Sequence, residues 1–329
     1  PVLSCWLGGA AARAGRAVLQ KAGVASYESP APAAAAVRHL TDWGRAQAAL
    51  LLVPDRGEVD ALGMPVGAQE RVAAALAPAA AEGRRLLDGS ESKEVVAAYG
   101  VPFVEVRVAA SPEDVAREAA QLLTRVEAVA VKLLSYDIPH KSEVGGVVLD
   151  RESPEAAAAA ARAIAARVAE RRPDARIHGF LVQPMLRRSG AIEVIAGIGR
   201  DEIFGPVIVF GAGGTAVEAL RDTAVALPPL DLALAAELMG RTRVGAALAV
   251  RPEAQGDAIR RVLVALSYLT EDFPCIRGVD VNPLLVSGSG AVAVDALVEI
   301  EPGEVDRRGP NPDLVIRPYP AAWTREVEL

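Results

Sequence analysis

Residues 278–296 read GVDVNPLLVSGSGAVAVDA. Two apolar runs flank the turn sequence SGSG (287–290), a pattern that suits an antiparallel hairpin whose second strand continues as AVAVDALVEI (291–300). Three polar side chains interrupt the runs: Asp280 and Asn282 in the first, Asp295 in the second. If the strands pair through the turn, Asn282 and Asp295 come together. Two such oxygen donors, completed by phosphate oxygens and water, suit Mg²⁺. A hydrogen-bonded structural pair is the competing reading.

Upstream, three strand candidates follow one another: GFLVQPML (179–186), AIEVIAGIGR (191–200) and GPVIVFGAGG (205–214). Helices over 232–239 and 253–269 then precede the hairpin. This order mixes α/β units with antiparallel hairpins, an α+β style. Within FGAGGTAVEALRD (210–222), Gly211, Gly213 and Gly214 lead into a short helix from Thr215. That arrangement puts helix N–H groups at a strand end, a generic anion site. Glu218 and Arg221 lie three apart on that helix and share a face, either for chemistry or as a surface ion pair. Glu193 is an isolated acid among hydrophobes. It suits a ribose hydroxyl or a metal, or simply faces water from an edge strand. LVQPM (181–185) offers backbone groups that suit an adenine edge.

Further upstream, EAVAVKLLS (127–135) buries Lys132 in an apolar strand. A buried ammonium needs an anionic partner, and nucleotide phosphates would supply one. Snorkelling from the strand end to solvent is the alternative. PHKSEVGG (139–146) then combines His140 and Lys141 with a glycine pair able to bring backbone N–H groups to phosphate. A solvated turn is the bland reading. Before these, a helix N-capped by Ser90 runs to Tyr99 and stops at Gly100, followed by an extended segment over 101–108. SPEDVAREAAQLL (111–123) reads as a capped helix with Pro112 in its first turn, and another helix spans 154–172.

The first fifty residues differ in style. PVLSCWLGG (1–9) and VASYES (24–29) read as strands, with helices over 13–22 and 33–47. This β-α-β-α order belongs to parallel sheets, and it looks like the end of a doubly wound domain. Residues 54–88 read as a linker carrying one helix over 68–81, and 302–329 as a proline-rich linker or edge segment. Aromatics are only 4% of the chain, so its cores are aliphatic, and the net charge of −7 disfavours nucleic acid as a partner. Two distant cysteines exclude a disulfide framework and a four-cysteine zinc site and fit a reducing cytoplasm. No apolar run of about 18 residues suggests a membrane helix. No signal peptide is visible, and the chain reads as a piece of a longer polypeptide.

Taken in order, ESKEVVAAYGVP (91–102), VKLLSYDIPHKSEVGGVVL (131–149), VIVFGAGGTAVEALRD (207–222) and DVNPLLV (280–286) with AVAVDA (291–296) resemble the ADP-forming acetyl-CoA synthetases of the succinyl-CoA synthetase-like superfamily. The resemblance covers about 88–300. It implies an ATP-grasp fold over 89–301, two α+β subdomains clasping ATP. Residues 1–53 would be a partial Rossmann/flavodoxin-like βαβα unit from the C-terminal part of a succinyl-CoA-ligase-like domain. By the same resemblance Lys132 meets the phosphates, Gln183, Pro184 and Met185 form the adenine hinge, and Glu193 lies near the ribose. Asn282 and Asp295 hold Mg²⁺, and Gly213 and Gly214 bind the moving phosphoryl group. His140 matches a histidine that carries phosphate transiently, with Asp280 close to the transferred group and Glu218 also among the catalytic residues; the family's principal phosphohistidine is expected in a segment upstream of these residues, so this chain alone is not expected to complete the reaction. The implied reaction is acid + CoA + ATP to acyl-CoA + ADP + phosphate through acyl phosphate and phosphohistidine.

The resemblance also implies partners. CoA would bind a domain outside this chain, and LVIRPYPAAW (314–323) resembles the junction before a GNAT acetyltransferase domain. In such fusions the region often serves instead as a ligand-sensing module without turnover, and that reading stays open; a different ATP-grasp carboxylate ligase is disfavoured by the HKSEVGG loop (140–146), whose histidine such ligases do not need. Tyr136 stands where the family pattern has proline, and AALAVRPEAQG (246–256) is shorter than the family's loop. The acyl substrate is not readable from these residues, and a homo-oligomer is compatible with the sequence but not specified by it.

Overall fold

Apolar alternation of period two and of period 3.6 sorts the chain into strands and helices, and a computed structural model describes residues 2–51, 65–138, 141–186, 190–214, 222–251, 253–288 and 290–316. Two units divide near residue 54. In the first, β1 (Leu3–Cys5) and β2 (Ala25–Tyr27) pair in parallel, Leu3 opposite Ala25. Parallel pairing needs a crossover, supplied by α1 (Gly9–Lys21), and α2 (Pro30–Leu51) follows. Both helices start earlier than expected: Gly8 turns the chain straight out of β1 at φ 130°, and Pro30 is itself the first residue of α2.

The second unit has two sheets, each with its own core. The elements are α3 (Ala68–Ala81), α4 (Gly89–Ala98), β3 (Arg107–Ala109), α5 (Pro112–Leu122), β4 (Val129–Leu134), β5 (Val147–Arg151), α6 (Pro154–Arg171) and β6 (Gly179–Pro184). They continue with β7 (Ile192–Asp201), β8 (Gly205–Ala212), β9 (Thr223–Ala226), α7 (Leu232–Gly240), α8 (Arg243–Ala249), α9 (Glu253–Asp272), β10 (Ile276–Ser287), β11 (Gly290–Ala293) and β12 (Ala296–Ile300). The smaller sheet is antiparallel, in the order β3-β6-β4-β5, and α5 and α6 bury Val115, Leu122, Ile164 and Val168 against one face. The larger sheet runs β11-β10-β7-β8-β9, with β12 also on β10, and α9 contributes Ile259, Leu263, Leu266 and Tyr268 to its core.

Several expectations are corrected. The segment expected as a linker over 54–88 carries part of the larger core from residue 65 on: α3 places Val72, Leu76 and Ala79 there, fully buried. Leu87 N–H donates to the Val298 carbonyl and Ile300 N–H to Arg85, so 85–87 runs along β12. The N-cap of α4 is Asp88, not Ser90. Its carboxylate accepts from Ser90 and Glu91 N–H, while Glu91 Oε2 accepts from Asp88 N–H, a reciprocal box that outcompetes a single serine hydroxyl. The final run AVAVDALVEI is two strands, broken at Val294–Asp295. The segment after 302 is not all linker: buried Asn311 donates from Nδ2 to the Thr270 carbonyl, and Leu314 is buried. Residues 317–329, which hold most of the expected acetyltransferase junction, lie outside the described residues.

Replacing Leu76 by Ala is expected to destabilise the second unit by about 3 kcal/mol, the usual cost of emptying a closed aliphatic site. Urea unfolding measures this. A shift under about 0.5 kcal/mol would mark a surface or linker position instead.

Candidate functional site

Strand alternation decides which side chains face the gap between the sheets. In β4, Val129, Val131 and Leu133 enter the smaller core, so Lys132 points to the opposite face. On neighbouring β6, Phe180 and Val182 enter the same core, which leaves Leu181, opposite Lys132, and Gln183, opposite Ala130, on the gap side. From the larger sheet, the β10–β7 register shifts between Val281 and Leu284, at Asn282–Pro283, and the partner chain breaks at Val294–Asp295. Flanking pairs Leu284–Ala293 and Val281–Ala296 bring the two irregular segments side by side, and Val294 N–H donates to the Pro283 carbonyl (3.0 Å).

Lys132 bridges the gap. Its Nζ donates to Asp295 Oδ2 (3.1 Å) and to the Val294 carbonyl (3.3 Å), and the residue is only 5% exposed. Burial pushes its pKa below the ordinary 10.5, the Asp295 carboxylate opposes that shift, and the positive charge of Lys141 adds to it. Asp295 Oδ1 accepts from Ala296 N–H (3.0 Å), which fixes the carboxylate.

A cavity of about 330 Å³ is lined by Lys132, Gln183, Pro184, Met185, Glu193, Asn282 and Asp295, seven of the residues singled out in the sequence. A second, of about 290 Å³, shares Ser142, Val147, Asn282 and Asp295 with it and adds Asp280, Lys141, Asp88 and Gly89. Each alone is at the small end of ligand cavities, so the continuous space suits an elongated ligand. The Gln183–Met185 end is held by Met185 N–H donating to the Ala128 carbonyl (2.9 Å).

Two expected phosphate cradles have a different local role. Gly213 N–H donates to the Glu193 carbonyl (2.9 Å), so it is not free for an anion, and Gly214, at φ 79°, packs where any Cβ would overlap the Glu193 carboxylate. Both glycines thus pack beside Glu193, and neither is among the residues lining the two cavities above. Gly145 and Gly146 N–H groups donate to the carbonyls of Ser142 (3.0 Å) and Lys141 (2.7 Å), closing a tight turn. Arg167 fastens that turn by donating from Nε and Nη2 to the Gly145 carbonyl (3.1 and 2.7 Å), and Arg171 does so at Glu143 (3.1 Å). The loop thus presents side chains, Lys141 and Ser142, instead of bare N–H groups. His140 and Glu218 lie outside the described residues.

Sequence reading missed the start of α4 as part of the cavity wall. The Asp88-to-Glu91 spacing was the available signal, since it marks a capping box and with it a helix N-terminus. Among the described residues no group of three or more His, Cys, Asp or Glu could hold a metal unaided. The fit to Mg²⁺ therefore rests on Asn282 and Asp295, with phosphate oxygens and water completing the shell, which is how Mg²⁺ is commonly held beside phosphates. No helix among the described residues is long and apolar enough to cross a membrane.

Residues 78–300 match the model of an ATP-grasp domain family. The chain is 33% identical over 221 residues to the beta subunit of an ADP-forming acetate–CoA ligase of Pyrococcus furiosus, covering 66% of this chain and 93% of that subunit. It is 31% identical over 294 residues to a single-chain ADP-forming acetate–CoA ligase of Archaeoglobus fulgidus, covering 88% of this chain but 41% of that enzyme. Among solved structures, a Pyrococcus horikoshii protein superposes at a TM-score of 0.66 with 32% identity, over 71% of this chain and 99% of its own. An acetyl-coenzyme A synthetase of Ca. Korarchaeum cryptofilum, solved with coenzyme A and Ca-AMPCP, gives 0.63 with 30% identity, over 68% of this chain and 97% of its own.

The depressed pKa of Lys132 has a definite consequence. Between that lowered value and 10.5 the unfolded chain binds the proton more tightly than the folded one, so this residue makes stability rise with pH there. Below the lowered value the full penalty is present. Lys132→Met is expected to remove a slope of at most about 1.4 kcal/mol per pH unit. Urea unfolding of both proteins from neutral to alkaline pH tests it, and parallel curves would show that the ammonium is not desolvated.

Proposed function

The chain belongs to the ATP-grasp domain family, and on that footing we propose that it is the nucleotide-binding, phosphoryl-transferring region of an ADP-forming acyl-CoA synthetase. The observation that carries this reading is the convergence of Lys132, Gln183–Met185, Glu193, Asn282 and Asp295 on one cavity between two sheets. The hinge segment 183–185 would read the adenine edge and Glu193 the ribose hydroxyls. The phosphates would then lie toward Lys132, Lys141 and Ser142. A buried lysine already paired with one carboxylate is prepared to exchange it for phosphate oxygens, because either anion offsets the desolvation.

Asn282 and Asp295 would hold Mg²⁺, which when bound neutralises phosphate charge. Phosphoryl transfer needs positioning, charge neutralisation and an in-line acceptor. His140 is the proposed acceptor: the unprotonated imidazole nitrogen bonds to the γ-phosphorus as the bond from that phosphorus to the ADP oxygen breaks, and the proton on the other ring nitrogen is released to solvent. Asp280 would lie beside the transferred group, and Glu218 is proposed as a further participant. The phosphoryl group then passes to the acid as acyl phosphate and phosphate is released as CoA takes the acyl group. CoA would bind a domain outside this chain, in keeping with the fraction of the single-chain relative that this chain spans.

Calorimetric titration with Mg-ATP is expected to show binding by the wild type and a loss of at least about tenfold in Asp295→Ala, the loss being confined to the metal-dependent part of the affinity. Equal binding would remove Asp295 from the site. Incubation with γ-labelled ATP is expected to leave acid-labile phosphate on the chain, absent in His140→Asn. Nucleotide binding without label in the wild type would instead favour a sensing module, such as the region preceding an acetyltransferase.

A further inference from the structure

Tyr136, where the family pattern carries proline, packs against groups from both sheets' structures. The Arg84 guanidinium carbon lies 4.0 Å from its ring centroid, and the His178 ring centroid is also 4.0 Å away at an interplanar angle of 51°. Arg84 lies on the side of the larger sheet, immediately before residues 85–87, which pair along β12. Its Nη1 and Nη2 donate to the two oxygens of Glu91 (2.9 and 2.7 Å), the same glutamate that closes the capping box of α4. Tyr136 belongs to the smaller sheet, two residues beyond β4.

The segment around Tyr136 is itself tied to the entry of β6. Ser135 Oγ donates to the Arg176 carbonyl (2.7 Å), Asp137 Oδ2 accepts from Arg176 N–H (2.8 Å), and His178 N–H donates to the Leu134 carbonyl (2.9 Å). Whatever holds Tyr136 therefore holds residues 134–137, the segment that follows the strand of Lys132, as well. Lys141 in turn lies against Gly89 at the start of α4, whose cap is fixed by Glu91 and thus by Arg84.

We propose that Tyr136 is a positioning residue: its ring, stacked by Arg84, latches the smaller sheet to the larger core and sets the spacing of the lysines that meet nucleotide phosphates. This rests on the nucleotide reading above. The Lys132–Asp295 contact also joins the two halves, but it is the contact that phosphate would replace. Neither Arg84 nor Tyr136 lines the two cavities, so a ligand seated there has no need to displace their contact. Cation–aromatic attraction suits this task, because the guanidinium keeps its bidentate carboxylate while giving its face to the ring.

The test uses the full chain, with Tyr136→Leu and Tyr136→Phe. Tyr136→Leu is expected to weaken Mg-ATP binding about three- to tenfold, the range of a partly buried cation–π contact. It should leave adenosine binding unchanged, because adenosine reaches only the hinge end, and it should speed amide exchange in peptides spanning 135–142. Tyr136→Phe keeps the ring and should match the wild type in all three. Unchanged Mg-ATP affinity and exchange in Tyr136→Leu would overturn the latch, as would a Phe variant that behaves like Leu. Equal weakening of adenosine and Mg-ATP would also overturn it, by showing general loss of structure. Failure of the wild type to bind Mg-ATP would instead defeat the nucleotide reading and the positioning role with it, while exchange would still report whether the ring holds the segment.

Discussion

A primary ammonium removed from water must be met by negative charge, and Lys132 is met by one carboxylate from the other side of a cleft. That single contact links the two halves of the larger unit at the point where both cavities meet. It also explains why an apolar strand tolerates the lysine: the desolvation cost is offset by Asp295 and the Val294 carbonyl. A buried ion pair of this kind is in general no more stabilising than an apolar side chain of similar volume. Its value lies in leaving a cation that can change partners without ever being unpaired.

The fold serves that contact by strand parity. A one-residue slip in β4 would turn Lys132 into the smaller core and Val131 into the cleft. Apolar partners on both neighbouring strands prevent this, since Val129, Val131 and Leu133 pack with Phe180 and Val182. On the larger sheet the regular ladder is interrupted at Asn282–Pro283 and again at Val294–Asp295, side by side. Pro283 has no N–H to give the ladder, and its carbonyl is used by Val294. The break re-aims Asn282 and Asp295 toward the gap.

Strand identity and the cleft residues were legible because they violate a local rule: Lys132, Asn282 and Asp295 are polar where the pattern demands apolar. The approach of Asn282 to Asp295 could be inferred from the SGSG turn; that of Lys132, on a strand of the other sheet, could not. Other features were not legible. The role of α3 was hidden because alanine-rich sequence carries little contrast between a buried helix and a tether. The N-cap of α4 was misassigned because Asp88 and Ser90 are both good caps, and only the reciprocal bond from Glu91 decides between them. Gly145, Gly146 and Gly213 read as parts of phosphate cradles because sequence shows that an N–H can approach, not whether a nearby carbonyl has already taken it.

Charge balance carries the nucleotide reading one step further. The described residues lining the two cavities include the carboxyl side chains Asp88, Glu143, Glu193, Asp280 and Asp295, against the lysines Lys132 and Lys141. Asp88 is partly neutralised by the helix N–H groups it caps, and Asp295 by Lys132. Even so, the cavity is not a strongly positive funnel, and a bare polyphosphate would gain little on entering it. Under the proposed reading, nucleotide and divalent cation must therefore bind with mutual dependence, each lowering the repulsion the other meets. A site with only two protein oxygen donors for the metal points the same way, because neither ligand finds a complete shell until the other is present.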